Sequence, residues 1–216
     1  MKTAVQLDFD GTITVHDISY LLLDAYAGDA WHPFLKAYEN DVINVGTFNR
    51  RSFALVRATR EEMTDFLFKN DRVVIRDGFT DFIGYCRERG YRLLVTSNGL
   101  RFYIEAILEK LDIRGVEVYA SENEFSPQGM KVKYVGPDGL ETDDGFKAAY
   151  TLSLADQGYT IIYAGDGSSD IYSARLAHHV FATNQLLGKC REEGLASEEF
   201  RDFRDILAGV EKLDLG

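Results

Sequence analysis

Near its start the chain reads Ala4-Val5-Gln6-Leu7-Asp8-Phe9-Asp10-Gly11-Thr12, an apolar run that ends in two closely spaced carboxylates. The apolar residues predict a buried strand. Side chains at positions i and i+2 of a strand lie on one face, so Asp8 and Asp10 would repel each other there. A bound cation or an extra proton would remove that repulsion. The pair therefore predicts a divalent metal site, a shared proton, or both.

The composition narrows the classes of function. The 216 residues suit one domain, or a core with a small insertion, and a hydrophobic fraction of 45% can form a real core. The net charge of -11 argues against a nucleic-acid surface and against binding to anionic membranes. No membrane-spanning stretch or signal peptide is visible, and Cys86 and Cys190 fit reduced core thiols. We therefore expect a cytoplasmic protein with neither a nucleic-acid nor a membrane partner.

The order of the predicted elements indicates an α/β fold. Residues 16–72 read as consecutive helices, because apolar residues recur there at helical spacing. Beyond residue 77 we predict strands at 91–96, 116–120, 159–164 and 180–183, a hairpin within 122–139, and helices that include 144–157, 169–178 and one from Ser197. This alternation predicts a Rossmann-like parallel sheet covered by helices on both faces. Residues 1–13 and 77–216 would form the core, and residues 14–76 a small helical-bundle cap inserted after the first strand.

Polar side chains follow several of the predicted strands. Ser97 and Asn98 follow the strand at 91–96, and Asp166 and Asp170 follow the strand at 159–164. Lys147 lies in the first turn of the helix before that last strand. In an open parallel sheet, ligands bind outside the carboxyl ends of the strands, so one crevice would hold all these groups together with the first aspartate pair.

These residue types together suit phosphoryl transfer. Carboxylates hold Mg²⁺, which keeps waters and joins substrate phosphates. A hydroxyl, backbone N–H groups and a lysine hold phosphate oxygens. The set predicts a phosphoryl-transfer site with Mg²⁺ and an aspartate nucleophile.

Each residue also has a simpler interpretation. The Asp-x-Asp-Gly segment occurs in turns, and Ser97 is a possible N-cap of the following helix. Asp166 and Asp170 are possible loop and capping residues, and Lys147 a possible surface lysine. For each residue taken alone, the sequence is compatible with either the structural or the catalytic interpretation.

Four motifs in order resemble those of the haloacid-dehalogenase (HAD) superfamily of phosphatases, and they span essentially the whole chain. They are residues 8–12, Ser97, Lys147 and residues 165–170. The helical insertion between the first two motifs looks like the cap of the phosphoserine-phosphatase-type branch. Within that branch the chain is most similar to the 2-hydroxy-3-keto-5-methylthiopentenyl-1-phosphate phosphatases of methionine salvage. The similarity rests on residues 8–14, 75–79 and 181–192, and Asn98 departs from the glycine usual in the branch.

The resemblance implies a role for each carboxylate. Asp8 would attack phosphorus and form an aspartyl-phosphate, and Asp10 would act as general acid and then as general base. Mg²⁺ would be held by Asp8, by the main-chain carbonyl of Asp10 and by Asp166. Asp170 would act through a water or orient Lys147.

The resemblance also implies which groups bind the substrate. Ser97, Asn98 and Lys147 would bind the substrate, with Ser97 and Lys147 on the transferring phosphoryl group. Asp17, seven residues after Asp10, would reach the substrate from the cap or serve only as the N-cap of the first cap helix.

The leading hypothesis is a Mg²⁺-dependent phosphomonoesterase for a small cytoplasmic phosphometabolite. Within that class, methionine-salvage, phosphoserine and broad-specificity phosphatases are alternatives. A dehalogenase would not need Asp10 as an acid, which argues against that chemistry. A non-catalytic phosphometabolite-binding protein is a further alternative, and the sequence fits either a monomer or a homodimer.

Overall fold

The computed structural model describes residues 2–142 and 144–213. It contains a seven-stranded sheet in the order β4-β3-β2-β1-β5-β6-β7. The strands are β1 (Lys2–Leu7), β2 (Arg92–Leu100), β3 (Glu117–Glu124), β4 (Lys131–Lys133), β5 (Tyr159–Gly165), β6 (His179–Ala182) and β7 (Glu198–Glu199). Every pairing is parallel except that of β3 with β4, which form the predicted hairpin. The predicted fold class is confirmed.

Helices cover the sheet and also fill the segment between β1 and β2. They are α1 (Ile18–Ala27), α2 (His32–Glu39), α3 (Val45–Phe53), α4 (Arg60–Lys69), α5 (Phe79–Glu88), α6 (Arg101–Lys110), α7 (Phe146–Asp156), α8 (Ile171–Ala174), α9 (Asn184–Glu193) and α10 (Phe203–Val210). Three of the first four begin at a side-chain cap: Asp17, Asn44 and Thr59 each accept a backbone N–H of the first turn. None of the described helices has the length and apolar character needed to cross a membrane.

The centre of the sheet determines where a ligand can bind. From β1 the chain builds β2 and β3 on one side, and later β5, β6 and β7 on the other. The carboxyl end of β1 is therefore a topological switch point, the place where open α/β sheets bind ligands. The first residue beyond β1 is held in this position, since the Asp8 N–H donates to the Ala164 carbonyl at 2.9 Å.

The helical segment leaves the sheet and returns to it at one place. Thr14 and Ile75 form an antiparallel bridge, and the N–H groups of Val15 and Arg76 donate to Val74 and Ile13 at 2.9 and 2.8 Å. Its helices bury large apolar side chains, among them Trp31 and Phe48, against the main core cluster. The division of the chain into core and cap at residues 14 and 76 stays a prediction.

Two predicted helices were wrong in extent. The helix at 169–178 is only a 3-10 turn, Ser168–Asp170, followed by α8, because residue 178 already donates its N–H to the Ile161 carbonyl beside β5. The helix from Ser197 is replaced by the edge strand β7, which pairs with β6, and α10 begins only after the Asp202 N-cap. The backbone groups of residues 198–199 find their hydrogen-bond partners in the neighbouring strand β6. The spacing of apolar residues within one segment cannot predict such a pairing.

Candidate active site

The loop after β1 packs directly against the loop after β5. Gly11 has φ of +80°, a left-handed conformation that favours glycine. A Cβ at this position would lie 2.3 Å from Asp166 Oδ2, so only a residue without a side chain fits. Gly11 therefore lets the segment that carries Asp8 and Asp10 approach the carboxylate of Asp166.

Lys147 joins two buried carboxylates. Its Nζ donates to Asp8 Oδ1 and to Asp170 Oδ1, both at 2.6 Å. Burial by itself lowers the pKa of Lys147. The neighbouring Asp170 and Asp8 charges raise this pKa by more than burial lowers it, so the net pKa lies above the usual range. Lys147 is thus a fixed ammonium group beside Asp8. The alternative of a surface lysine is wrong, since its side chain is 6% exposed.

Asp170 anchors Lys147 and the loop after β5. Its Oδ1 also accepts from the Tyr163 hydroxyl at 2.5 Å, and its Oδ2 accepts from the N–H groups of Asp166 and Gly167 at 3.0 and 2.8 Å. Each carboxylate oxygen thus has two donors, which fills its ordinary hydrogen-bonding capacity. This geometry favours the predicted orienting role of Asp170.

Replacing Lys147 with methionine should destabilise the fold. Methionine has a similar length but leaves Asp8 and Asp170 buried without a cation, and breaking a buried ion pair from one side typically costs about 3–5 kcal/mol. We expect a loss of that size in the free energy of unfolding, measured by urea titration without divalent metal. Lys36→Met, at an exposed position of α2, is the matched control. A loss no larger than that of the control would contradict the prediction.

The site has the donor set of a hard cation. One carboxylate oxygen each from Asp8, Asp166 and Asp170 lies within 4.8 Å of the others. The Thr12 hydroxyl lies 3.3 Å from both Asp8 Oδ2 and Asp166 Oδ1. Burial, reinforced by the neighbouring Asp170, raises the pKa of Asp166. Closely spaced carboxylates with a single lysine among them leave excess negative charge. Because hydrogen bonds already fill both oxygens of Asp170, Asp8 and Asp166 are the carboxylates that fit Mg²⁺.

Asp10 differs from Asp8 in its partners. Its Oδ1 accepts from the Ile18 N–H at 2.9 Å, and its Oδ2 accepts from the Tyr103 hydroxyl at 2.5 Å. Burial raises its pKa to about 6, against the lowering effect of these two hydrogen bonds. Asp10 is thus held by α1 and α6 and has a pKa suited to donating and accepting a proton near neutral pH.

The remaining predicted residues lie around the same opening. Ser97 sits in an irregular part of β2, where its Oγ accepts from the Gly99 N–H at 2.9 Å and lies 3.4 Å from Asp10 Oδ2. The alternative that Ser97 caps α6 is wrong, because β2 continues to Leu100 and the helix begins only at Arg101. Asp17 caps α1 by accepting from the Tyr20 N–H at 2.9 Å.

Asn98 connects the helical segment between β1 and β2 to this opening. Its carbonyl accepts from the Asn49 side chain of α3 at 2.8 Å and from the Tyr134 hydroxyl at 2.5 Å. Its side-chain amide donates to Ser169 Oγ at 3.2 Å. Helix α3, strand β2 and the segment after β4 therefore meet at one carbonyl.

These groups open into a cleft of about 850 Å³. Its lining includes the residues predicted for the site: Asp8, Asp10, Asp17, Ser97, Asn98, Lys147 and Asp166. The segment between β1 and β2 contributes the aromatic residues Tyr20, Tyr38 and Phe48 and the acidic residues Glu39 and Asp41. Among the described residues, the lining contains the lysines Lys147 and Lys189 and no arginine.

Sequence reasoning missed several polar residues of the site. They include Thr12, Asn49, Tyr103 and Asn184, the last of which donates to Asp166 Oδ2 at 3.3 Å. Tyr103 had a usable signal: it lies on the apolar face of its helix, and a buried tyrosine hydroxyl usually finds a partner. Asn49 and Asn184 gave no comparable signal, since their partners lie far away in sequence.

Comparison with known proteins gives matches over most of the chain. The family model of haloacid dehalogenase-like hydrolases matches residues 5–175. A 2-hydroxy-3-keto-5-methylthiopentenyl-1-phosphate phosphatase of Bacillus velezensis is 27% identical over 212 residues, covering 95% of this chain and 88% of that protein. A protein of the same name from Brevibacillus brevis is 28% identical over 210 residues, covering 95% and 94%.

Solved structures of phosphoserine phosphatases have a similar fold. A substrate-bound complex has a TM-score of 0.71 at 20% identity, covering 97% of this chain and 98% of that one. A phospho-aspartyl intermediate analogue has a TM-score of 0.70 at 21% identity, covering 96% and 98%. At such identities the likeness concerns the fold alone.

Proposed function

Because the chain belongs to the haloacid dehalogenase-like hydrolase family, we propose that it is a Mg²⁺-dependent phosphomonoesterase that works through an aspartyl-phosphate. The observation that carries the proposal is the arrangement at the end of β1. There the buried Asp8 is paired with Lys147 at 2.6 Å, and Asp10, two residues further on, is held separately by Tyr103 and Ile18. The first aspartate suits attack on phosphorus, and the second suits proton transfer.

The first half of the reaction transfers the phosphoryl group to the protein. A carboxylate oxygen of Asp8 forms a bond to phosphorus while the bond from phosphorus to the substrate oxygen breaks. Asp10 gives its proton to that leaving oxygen, which departs as a neutral alcohol or enol. The pKa of Asp10, about 6, allows an appreciable protonated fraction near neutral pH.

The second half releases phosphate. Asp10, now a carboxylate, takes a proton from a water whose oxygen forms a bond to phosphorus. The bond between phosphorus and Asp8 then breaks, which returns both aspartates to their starting states. The sum is one ester and one water converted to one alcohol or enol and one inorganic phosphate.

The remaining residues would bind the metal and the substrate. Asp8, Asp166 and the main-chain carbonyl of Asp10 would hold Mg²⁺, which neutralises phosphoryl oxygens when bound. Lys147 and Ser97, with Asn98 beside them, would bind the phosphoryl oxygens. Asp170 would keep Lys147 in place, and Asp17, which lines the cleft, would accept from a substrate hydroxyl.

The substrate proposed is the enol phosphate of methionine salvage, in the cytoplasm. The names of the similar proteins support this, and so does the cleft. The segment between β1 and β2 gives the cleft the aromatic residues Tyr20, Tyr38 and Phe48, which suit an uncharged organic group such as a thioether chain. The carboxylate of phosphoserine calls for a cationic partner. The described cap residues that line the cleft include no arginine or lysine, although several are acidic.

A panel of phosphate esters tests both levels of the proposal. We expect phosphate release from the methionine-salvage enol phosphate, far slower release from phosphoserine, and loss of activity when EDTA removes divalent metal, with recovery on adding Mg²⁺. Activity on phosphoserine alone would exclude the methionine-salvage assignment. Binding of esters without any Mg²⁺-dependent turnover would instead favour a non-catalytic binding protein.

A further inference from the structure

A buried tyrosine contacts the carboxyl group assigned to proton transfer. Tyr103 lies on α6, is fully buried, and packs against Phe9 and Phe102 with ring centroids 6.0 and 5.6 Å away. Its hydroxyl is 2.5 Å from Asp10 Oδ2 and 3.0 Å from Ser19 Oγ. The aromatic packing fixes the ring, so the hydroxyl is presented to Asp10 from a rigid support.

Gly99 makes room for this contact. A Cβ at position 99 would lie 1.8 Å from the Tyr103 hydroxyl oxygen and 2.4 Å from Asp10 Oδ2. Both distances are far below any permitted contact, so no other residue fits there without displacing the pair. The space above Gly99 is thus filled by the tyrosine hydroxyl and the aspartate together.

The two hydrogen bonds to Asp10 determine how its carboxyl group is turned. The Ile18 N–H holds Oδ1 and the Tyr103 hydroxyl holds Oδ2. Donors on different oxygens, one from α1 and one from α6, restrict rotation of the carboxyl group about its bond to Cβ. Without Tyr103, the partner of Oδ2 among residues 2–142 and 144–213 would be Ser97, at the long distance of 3.4 Å.

A hydroxyl suits both halves of the proposed reaction. When Asp10 is a carboxylate, Tyr103 donates to it, and Ser19 can donate to the Tyr103 oxygen. When Asp10 carries its transferable proton on Oδ1, that proton can pass to the leaving oxygen while the Tyr103 hydroxyl still donates to Oδ2. A phenyl ring could do neither.

We propose that Tyr103 is a positioning residue for proton transfer: with Ser19 and in the space left by Gly99, it holds the Asp10 carboxyl group toward the leaving oxygen. The inference rests on the proposed phosphomonoesterase function. It adds a residue that acts through Asp10 and does not itself touch the reacting atoms. It also connects the orientation of Asp10 to α1, the first helix of the cap segment, because Ser19 belongs to that helix.

The test compares two esters that differ in their need for an acid. The alkoxide of n-pentyl phosphate needs a proton to leave, whereas p-nitrophenolate departs readily without one. For Tyr103→Phe we expect kcat/KM to fall about tenfold or more for n-pentyl phosphate, within the range that general acid catalysis supplies, and only about twofold for p-nitrophenyl phosphate. The quantity kcat/KM is chosen because it covers the steps up to departure of the leaving group.

Two further variants separate positioning from folding. Tyr150→Phe removes a hydroxyl that donates to the Val135 carbonyl at 3.0 Å, and it should leave the ratio of the two kcat/KM values unchanged. Ser19→Ala should shift the ratio in the same direction as Tyr103→Phe but less, which also serves if the phenylalanine variant folds poorly. If Tyr103 had a purely structural role, the substitution would lower kcat/KM by the same factor for both esters.

The outcomes distinguish this inference from the function on which it rests. Wild-type protein that hydrolyses neither ester, and no member of the panel, would overturn the proposed function and this inference with it. Active wild-type protein whose ratio is unchanged in both Tyr103→Phe and Ser19→Ala would overturn the role of Tyr103 alone. If wild-type protein hydrolyses p-nitrophenyl phosphate but not n-pentyl phosphate, no acid protonates the leaving group. That result would also overturn the role of Tyr103.

Discussion

Asp8→Asn is expected to abolish phosphatase turnover, with a loss of about four orders of magnitude or more in kcat, because the side chain that would bond to phosphorus is no longer nucleophilic. Asparagine has nearly the same shape as aspartate, and its carbonyl can still accept from Lys147. The substitution removes an attractive charge beside Lys147 and a repulsive one beside Asp166 and Asp170. These effects oppose each other, so the fold should persist.

The Asp8→Asn protein should lack both turnover and the covalent aspartyl-phosphate. Phosphate release in the presence of Mg²⁺ measures the turnover. Acid quenching after mixing with radiolabelled ester measures the second, since label should remain on wild-type protein, be released by hydroxylamine, and be missing from the variant. Asp24→Asn, at an exposed position of α1, is the matched control and should behave like wild type. Wild-type turnover by the Asp8→Asn protein would show that another group attacks phosphorus.

The parts of the molecule that could be predicted are those determined by local pattern. The aspartate pair directly follows a buried apolar strand, and Lys147 lies in the first turn of α7, so the sheet geometry brings them together. The fold class, the family and the similarity to methionine-salvage phosphatases, all predicted from such patterns, were confirmed by the structure and by the comparisons with known proteins. The roles of the individual site residues and the domain boundaries stay predictions.

The parts that could not be predicted depend on contacts between distant segments. Tyr103 meets Asp10 across 93 positions of sequence, and that contact follows from how α6 packs against the end of β1. The edge strand β7 likewise exists because β6 offers free backbone groups, while its own two glutamates give no strand signal. Hydrophobic spacing reports which face of an element is buried but not which polar atom it will meet.

The same distinction between carboxylates predicts the behaviour of Asp10→Asn, which should depend on the leaving group. We expect kcat/KM to fall about 10²–10⁴-fold for n-pentyl phosphate, which needs a proton, and much less for p-nitrophenyl phosphate. The Asp10 main-chain carbonyl is unchanged, and Ile18 and Tyr103 can still hydrogen-bond the amide, so metal binding and the position of the side chain should be retained.

The pH dependence supplies an independent check on the same variant. Burial raises the pKa of Asp10 from 3.8 to about 6, and only the protonated form can donate. In wild-type protein, kcat/KM for n-pentyl phosphate should therefore fall toward tenfold per pH unit above about pH 6, and Asp10→Asn should lack that decline. A descending limb that persists unchanged in Asp10→Asn, or an equal loss for both esters, would mean that a different group protonates the leaving oxygen. Asp10 would then contribute through its carbonyl and its hydrogen bonds alone.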